Sequence, residues 1–347
     1  MYFASDNCGP AHPSVMQAVL AANSGYQPSY GEDAMMADVR ARLRALFEAP
    51  EAAVYLVATG TAANALALAT LAEPWQTVFC TPYAHIQTDE CHAPEFYTGG
   101  AKLSLVGKTD KMTPDALRAE IESWTMGDVH VSQRGPVSLT QVTEMGQFYS
   151  LDELAALTAI ARDHGLPVHM DGARFANAVV ALGCTPADMS WKAGIDAVCF
   201  GGTKNGCLGV EAVIFFDPRH AWEFELRRKR GAHLFSKHRY LSAQMQGYLA
   251  DETWHHAARA ANDKAARLAA ALRELPGAEF LAEPQANEIF ARLPRRTHAR
   301  LNAAGAVYSL YGPLEGDDPD ALLPMRLVCD WSTTDELISD FIKAAAE

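Results

Sequence analysis

No stretch of this chain approaches the roughly 18 consecutive apolar residues that a membrane-crossing helix needs, so a bilayer-spanning protein is not expected. Positive charge is scarce as well: 29 Lys and Arg face 42 Asp and Glu, for a formal net charge of -13. Nucleic-acid surfaces and anionic membrane faces both call for clustered Lys and Arg, so neither partner is expected. The one dense basic run, Arg227-Arg228-Lys229-Arg230, is expected on the solvated end of a helix, or failing that in an anion site. Paired cysteines are missing too. The seven cysteines sit mostly in apolar settings such as Val198-Cys199-Phe200 and Leu327-Val328-Cys329, which predicts buried thiols and no disulfide framework. Cys80, His85, Cys91 and His92 carry metal-capable atoms, but at no zinc-binding spacing, so no metal is expected. The opening residues, Met1-Tyr2-Phe3-Ala4-Ser5-Asp6-Asn7, turn polar too early for a signal peptide, which makes the cytoplasm the default expectation. Internal repeats and low-complexity tracts are absent, as are a Walker loop and a Rossmann fingerprint.

What the chain does have is apolar content, 49% over 347 residues, enough for one large domain and a smaller one. Pro13 to Asn23 and Glu32 to Phe47 read as helices. From residue 53 short apolar runs alternate with amphipathic stretches. Strands are predicted at Ala53 to Val57, Thr77 to Cys80, Val129 to Val131, Val137 to Leu139, Pro167 to Met170, Asp196 to Phe200 and Ala212 to Phe216. Helices are predicted at Thr61 to Leu71, Thr113 to Trp124 and Asp152 to His164. Such alternation means an α/β fold with a mainly parallel sheet flanked by helices, and ligands at the carboxyl ends of its strands. After about Asp251 the pattern changes to a long alanine-rich helix, Thr253 to Leu275. Strand candidates come next at Glu279 to Leu281, Ile289 to Leu293 and Met325 to Cys329, and Thr333 and Glu336 have capping-box spacing before a last helix.

Two segments carry chemistry. Val168-His169-Met170-Asp171-Gly172-Ala173-Arg174 ends an apolar run in an acid, with an arginine three residues on, and Phe200-Gly201-Gly202-Thr203-Lys204-Asn205-Gly206 puts a lysine in a glycine-rich turn. Taken singly, Asp171 reads as a helix cap and Lys204 as a turn lysine. Taken together they suit pyridoxal phosphate, held by a lysine amine as a Schiff base while an aspartate keeps the pyridine nitrogen protonated. Thr59-Gly60-Thr61-Ala62-Ala63-Asn64 comes after a strand and opens a helix, which makes either an anion site or a simple N-cap. His85, just past a predicted strand, either stacks on a flat cofactor and moves protons or is structural. Arg326 either clamps a carboxylate or pairs with an acid such as Asp330.

On these residues, the chain resembles the pyridoxal-phosphate-dependent L-threonine aldolases of the aspartate-aminotransferase fold, fold type I, and especially their low-specificity and phenylserine-cleaving members. The resemblance spans nearly the whole length. It rests on Ser5-Asp6-Asn7, Tyr30-Gly31-Glu32-Asp33, the Thr59 to Asn64 turn, the segment around His85, His169-Met170-Asp171-Gly172-Ala173-Arg174-Phe175-Ala176-Asn177, and Thr203-Lys204-Asn205-Gly206. It implies a large cofactor-binding α/β domain over residues 1–250, with a seven-stranded sheet and an N-terminal arm over about 1–30, and a smaller α+β domain over 251–347. By the same resemblance Lys204 is the covalent lysine, Asp171 the partner of the pyridine nitrogen and Arg174 the donor to the phenolic oxygen. Gly60 and Thr61 bind the phosphate and His85 stacks on the ring. Ser5 and Arg326 would hold the substrate carboxylate, a neighbouring subunit would lend Arg239 to the phosphate, and Tyr30 would also reach across an interface. A homo-oligomer is implied as well, a tetramer built as a dimer of dimers.

One departure stands out. Family members commonly carry Asn-Thr-His-Asn where this chain reads Thr140-Gln141-Val142-Thr143-Glu144, so a second imidazole is absent, and its part at the substrate's β-hydroxyl falls to His85, to water or to Glu144. The activity implied is reversible retro-aldol cleavage of L-threonine, L-allo-threonine or L-phenylserine to glycine and an aldehyde. An aminotransferase or a β-eliminating lyase on the same fold is the alternative, because a fold does not fix chemistry. A non-catalytic pyridoxal-phosphate-binding protein is the third reading.

Overall fold

The computed structural model describes residues 1–346. It opens with α1 (Pro13–Ala22) and α2 (Ala34–Leu46) and then alternates: β1 (Ala53–Val57), α3 (Gly60–Leu71), β2 (Gln76–Cys80), the short α4 (His85–Thr88) and α5 (Ala93–Thr98), β3 (Lys102–Leu105), α6 (Pro114–Ser123), β4 (Gln133–Thr140), α7 (Leu151–Asp163), β5 (Val168–Gly172), α8 (Phe175–Leu182), β6 (Ala197–Gly201) and β7 (Glu211–Phe215). Helices α9 (Ala221–Arg230), α10 (Arg239–Leu249) and α11 (Thr253–Arg273) lead into β8 (Glu279–Phe280), β9 (Glu288–Pro294), α12 (Arg295–Ala303), β10 (Ser309–Leu310), β11 (Leu322–Val328) and α13 (Asp335–Ala346).

The first seven strands form one sheet in the order β1-β7-β6-β5-β4-β2-β3. Only β7 runs against its neighbours, β1 and β6. The other pairings are parallel, as right-handed crossovers through helices require. Every residue of β1, β5, β6 and β7 is buried, because helices cover both faces and leave no polar side to alternate with. Phe47, Phe175 and Phe200 pack mutually edge-on or tilted in the core beneath β5 and β6.

The last four strands form an antiparallel sheet, β10-β11-β9-β8, over a separate apolar cluster that includes Leu268, Leu272, Ile289, Leu293, Met325 and Phe341. The N-terminal arm joins this cluster. Phe3 N donates to Val307 O at 2.8 Å, Phe3 O accepts from Val328 N at 2.8 Å, and the Phe3 ring sets its edge against Phe341. The arm thereby straps the two layers together and carries Ser5, Asp6 and Asn7 into the space between them.

Three expectations change. Val129 to Val131 is a turn, not a strand: Val129 is 93% exposed, the Gln133 side chain ties the segment through Gly127 N and Val131 O, and pairing begins only at Gln133. The last helix is capped by Thr334, whose hydroxyl accepts from Leu337 N at 3.3 Å, while Thr333 turns back to Asp330 N at 3.0 Å. In the basic run, Arg228 is buried rather than solvated. It pairs with Glu225 at 2.9 Å, lies 5.0 Å over the Tyr55 ring and donates to Leu56 O. All seven cysteines are free thiols. Cys80, Cys199, Cys207 and Cys329 are buried, Cys184 partly so, and Cys8 and Cys91 are exposed.

Candidate active site

Parallel strands end together, and the turns that leave their carboxyl ends converge on one place. The α3 N-terminus succeeds β1, Asp171 lies near the end of β5, and the Lys204 turn succeeds β6. Between them is a cavity of about 370 Å³ whose wall includes Gly60, Thr61, His85, Asp171, Arg174 and Lys204. Six of the residues singled out by sequence thus share one space.

The turn that follows Asp171 and the end of β6 that leads to Lys204 touch closely. A Cβ added at Gly201 would fall 2.4 Å from Ala173 O, so only glycine lets the end of β6 lie against the turn after β5. The lysine turn is pinned from three sides. Glu211 Oε2 accepts from Gly202 N at 2.9 Å, Asn205 donates to Tyr248 Oη and to Trp254 O at 2.7 Å each, and the Tyr248 hydroxyl donates to Gly201 O at 3.0 Å. At α3 the Thr59 hydroxyl accepts from Ala62 N at 3.2 Å, and Ala63 N bonds Thr59 O. The backbone N–H groups of Gly60 and Thr61, ahead of the first intrahelical bond, remain for an anion, and a side chain at Gly60 would point into open space.

Asp171 is buried and held at both oxygens, Oδ2 accepting from Asn64 Nδ2 at 2.9 Å and Oδ1 from Ala173 N at 3.0 Å. The same Asn64 amide donates to Glu90 Oε1 at 2.9 Å, and that oxygen meets His85 Nδ1 at 2.8 Å. One chain therefore runs from His85 through Glu90 and Asn64 to Asp171. The hydrogen bond to Glu90 raises the basicity of His85 against the opposing pull of burial, and the charges of Asp171 and Glu144 add to it. Burial pushes the Glu90 carboxyl up, against its hydrogen bonds to His85 and Asn64. The proton between them is best written on Nδ1, which leaves Nε2 as an acceptor when the ring is neutral.

Arg174 grips Asp6 of the arm with Nε at 2.7 Å and Nη2 at 3.0 Å, and its Nη1 lies 3.0 Å from Glu288 Oε2. Burial works against the Asp6 carboxylate, yet the Arg174 and Lys204 charges outweigh it and hold this acid below the usual range. Burial raises Glu288 instead. Behind Asp171 on the same strand, His169 is buried between Ser138 Oγ at 3.0 Å and Cys199 Sγ at 3.4 Å, and burial brings it down to about 4, so this imidazole stays neutral.

Four of the expected residues lie outside the cavity wall. Ser5 caps the turn after the arm, accepting from Asn7 N at 3.1 Å. Arg326, on β11, donates through Nη2 to Ala4 O at 3.1 Å, next to Ser5, and its buried Nε has no acceptor among the described residues. Tyr30 is 43% exposed beneath Lys229, and Arg239 reaches Gly25 O at 2.9 Å on the outer surface. Conversely, the cavity wall includes Asn64, Glu90 and Glu211, to which the amino-acid pattern assigned no role. Asn64 stood inside a motif, but its helical spacing gave no hint that it bridges two acids. Glu211 carried one legible sign, an acid opening an otherwise apolar strand.

Buried polar atoms without partners border this space. Asn64 Oδ1 and Glu90 Oε2 have none among the described residues. Buried polar groups are nearly always satisfied, so these orphans mark a site built for an occupant.

Residues 2–294 match the model of the family described as beta-eliminating lyases. Low specificity L-threonine aldolase of Pseudomonas aeruginosa is 40% identical over 344 residues, covering 98% of this chain and 96% of that protein. The protein of the same name from another Pseudomonas strain is 39% identical over 341 residues, covering 97% and 95%. The solved structure of Leishmania major threonine aldolase is similar at a TM-score of 0.92 and 26% identity, covering 99% of this chain and 98% of that one. Sphingomonas wittichii serine palmitoyltransferase shares the fold, at a TM-score of 0.72 and 16% identity over 100% of this chain and 86% of its own.

Proposed function

This chain belongs to the beta-eliminating lyase family, and from that premise we propose that it is a pyridoxal-phosphate-dependent carbon–carbon lyase, an L-threonine aldolase that splits L-β-hydroxy-α-amino acids into glycine and an aldehyde. The observation that carries the reading is the meeting of an amine, an acid and a free helix N-terminus around one cavity, at Lys204, Asp171 and Gly60-Thr61.

The residues present fit the cofactor. The unpaired N–H groups of Gly60 and Thr61, with the positive end of α3, suit its phosphate. Asp171, oriented by Asn64 and Ala173, suits its ring nitrogen, and His85 suits its ring face. Arg174, fixed by Asp6 at Nε and Nη2 and paired with Glu288 at Nη1, suits the phenolic oxygen through an Nη1 that it would share with Glu288. When bound, pyridoxal phosphate supplies an aldehyde carbon for an amine and a ring that takes up the electron pair released as the Cα–Cβ bond breaks. Lys204 provides the amine that holds the group between turnovers. Arg326, with its unpaired Nε, and Ser5 beside it would receive the substrate carboxylate and so fix which bond at Cα stands to break.

Finer features belong to the same reading. Phenylserine is proposed as a substrate beside L-threonine and L-allo-threonine. The chain divides near residue 250, with the arm strapping the smaller sheet to the larger. Arg239 and Tyr30, turned away from their own cavity, would serve a neighbour's site in a dimer of dimers. The exposed Leu208 and Phe235, which line a groove adjoining the cavity wall, support contact on that side. Seven free thiols favour a reducing compartment, and we place the protein in the cytoplasm.

The test is product analysis. Incubation with L-threonine, L-allo-threonine and L-phenylserine should release glycine and the matching aldehyde, whereas keto acid or ammonia would point to the transaminating or β-eliminating alternative. Borohydride reduction followed by peptide mass mapping should put the cofactor label on Lys204. A label on any other residue overturns the assignment.

A further inference from the structure

We infer that Glu144 is the group that takes the proton from the substrate's β-hydroxyl in cleavage and returns it in the reverse direction. The inference rests on the aldolase reading. Glu144 lies in the turn after β4, and its side chain contributes to the same cavity wall as His85, Asp171, Arg174 and Lys204. That turn is fixed at both ends. The fully buried Gln141 donates N–H to Asp171 O at 2.8 Å and closes a two-bond clamp on Tyr149, with its side-chain oxygen accepting from Tyr149 N and its amide donating to Tyr149 O, each at 2.9 Å. Thr143 N bonds Gln147 O at 2.7 Å, and Gly146 N bonds Thr143 O at 2.9 Å. From the other layer the Gln285 backbone N–H donates to Gly146 O, and its side-chain oxygen accepts from Phe148 N at 2.9 Å. A turn held this firmly presents its side chain at a set place.

The other acids of this region are already committed. Asp171 and Glu90 accept from Asn64, Glu211 accepts from Gly202 N, and Asp6 holds Arg174 and Asn287. Glu144 is half-buried where it meets the cavity, and among the described residues no donor hydrogen-bonds its carboxylate. A half-buried carboxylate with no donor of its own, kept on a rigid turn in a cavity wall, is open to a proton from a bound substrate. Burial, then the Glu288 and Asp171 charges, push this carboxyl up to about 7, against the pull of Lys204 and Arg174; His85 is the remaining charged neighbour. A base whose affinity lies near neutrality both accepts and releases a proton readily. In the proposed reading His85 instead covers the ring face.

The step balances. The O–H proton passes to a Glu144 oxygen, the O–H electron pair becomes the second C–O bond of the aldehyde, and the Cα–Cβ pair departs with Cα. A proton later taken up at Cα completes glycine, and Glu144 returns its own to solvent.

Glu144→Gln keeps the size but cannot accept a proton. In the holoenzyme, kcat for L-phenylserine or L-threonine should fall by about 100-fold or more with KM little changed. Exchange of the glycine α-proton with deuterated solvent, which involves no β-hydroxyl, should survive. Glu144→Ala should be partly rescued by formate. In the cofactor-free protein a separate readout applies. The folded-state affinity near 7 exceeds the unfolded value of about 4.3, so the native protein should lose stability relative to Glu144→Gln as pH rises through that window. The variant should therefore melt higher above pH 7, with the difference vanishing toward the acid end. Undiminished cleavage by Glu144→Gln, or joint loss of cleavage and glycine exchange, or a lower melting temperature at high pH, each overturns the assignment. If the native enzyme itself releases no aldehyde, the aldolase reading fails instead.

Discussion

His85 shows how much a single side chain owes to its neighbours. Its ring nitrogen meets Glu90 Oε1 at 2.8 Å, and that hydrogen bond is the main reason it holds its proton more tightly than an ordinary imidazole. Glu90 is fully shielded and shares Asn64 with Asp171, so the state of His85 and the placing of Asp171 are linked through one amide. Replacing Glu90 with Gln removes the charged acceptor, and His85 should then titrate at lower pH. Histidine resonances of the cofactor-free protein, monitored against pH, report this directly. An unmoved His85 titration would mean that the pair does not persist in solution. None of this was legible from the chain, because Glu90 lies five residues beyond His85 in an irregular, polar stretch where neither helical nor strand spacing pairs them. His85 could be picked out because it comes just after a strand and because the segment around it carries part of the family resemblance.

At the scale of elements, the turns after β5 and β6 are the parts that tolerate least change. They carry Arg174 and Lys204 off the sheet, and they lie so close that a methyl group at Gly201 would sit 2.4 Å from Ala173 O. The contact is with backbone, so no rotamer change relieves it. Gly201→Ala should destabilise the fold by about 1–3 kcal/mol and weaken cofactor retention, read as a lower melting temperature and loss of visible absorbance on gel filtration. An unchanged melting temperature would show that the two turns separate freely. Strands and helices of this layer were largely readable, since fully buried runs bounded by polar turns leave few alternatives. The failures have physical causes. Val129 to Val131 has the residue types of a strand but no sheet edge to pair with, and β3 (Lys102–Leu105), unexpected from its residues, sits at the edge with half its side chains facing out. Helices α4 and α5 are too short for any period to show.

For the molecule as a whole, the division of the expected site residues between the inside and the outside of the cavity is informative. Lys204, Asp171, Arg174, His85, Gly60 and Thr61 share one wall, and Ser5 and Arg326 approach from the arm and the smaller sheet. Tyr30 and Arg239 face away, Arg239 with a guanidinium bonded to Gly25 O and stacked on Tyr240. Sequence proximity to a motif cannot distinguish a residue that serves its own cavity from one that serves a neighbour's. In the proposed two-fold assembly the contact would be reciprocal, each chain lending Arg239 to the other. Arg239→Ala should then lose most cofactor affinity, Lys204→Ala should be inactive, and a mixed assembly of the two should recover activity. One site of each hybrid pair carries both lesions while the other carries neither, so random mixing of protomers leaves about a quarter of all sites intact. Refolding the two variants together and assaying glycine release checks this. No recovery beyond the sum of the separate variants would place Arg239 in its own chain's service, and full activity of Arg239→Ala alone would remove it from the site.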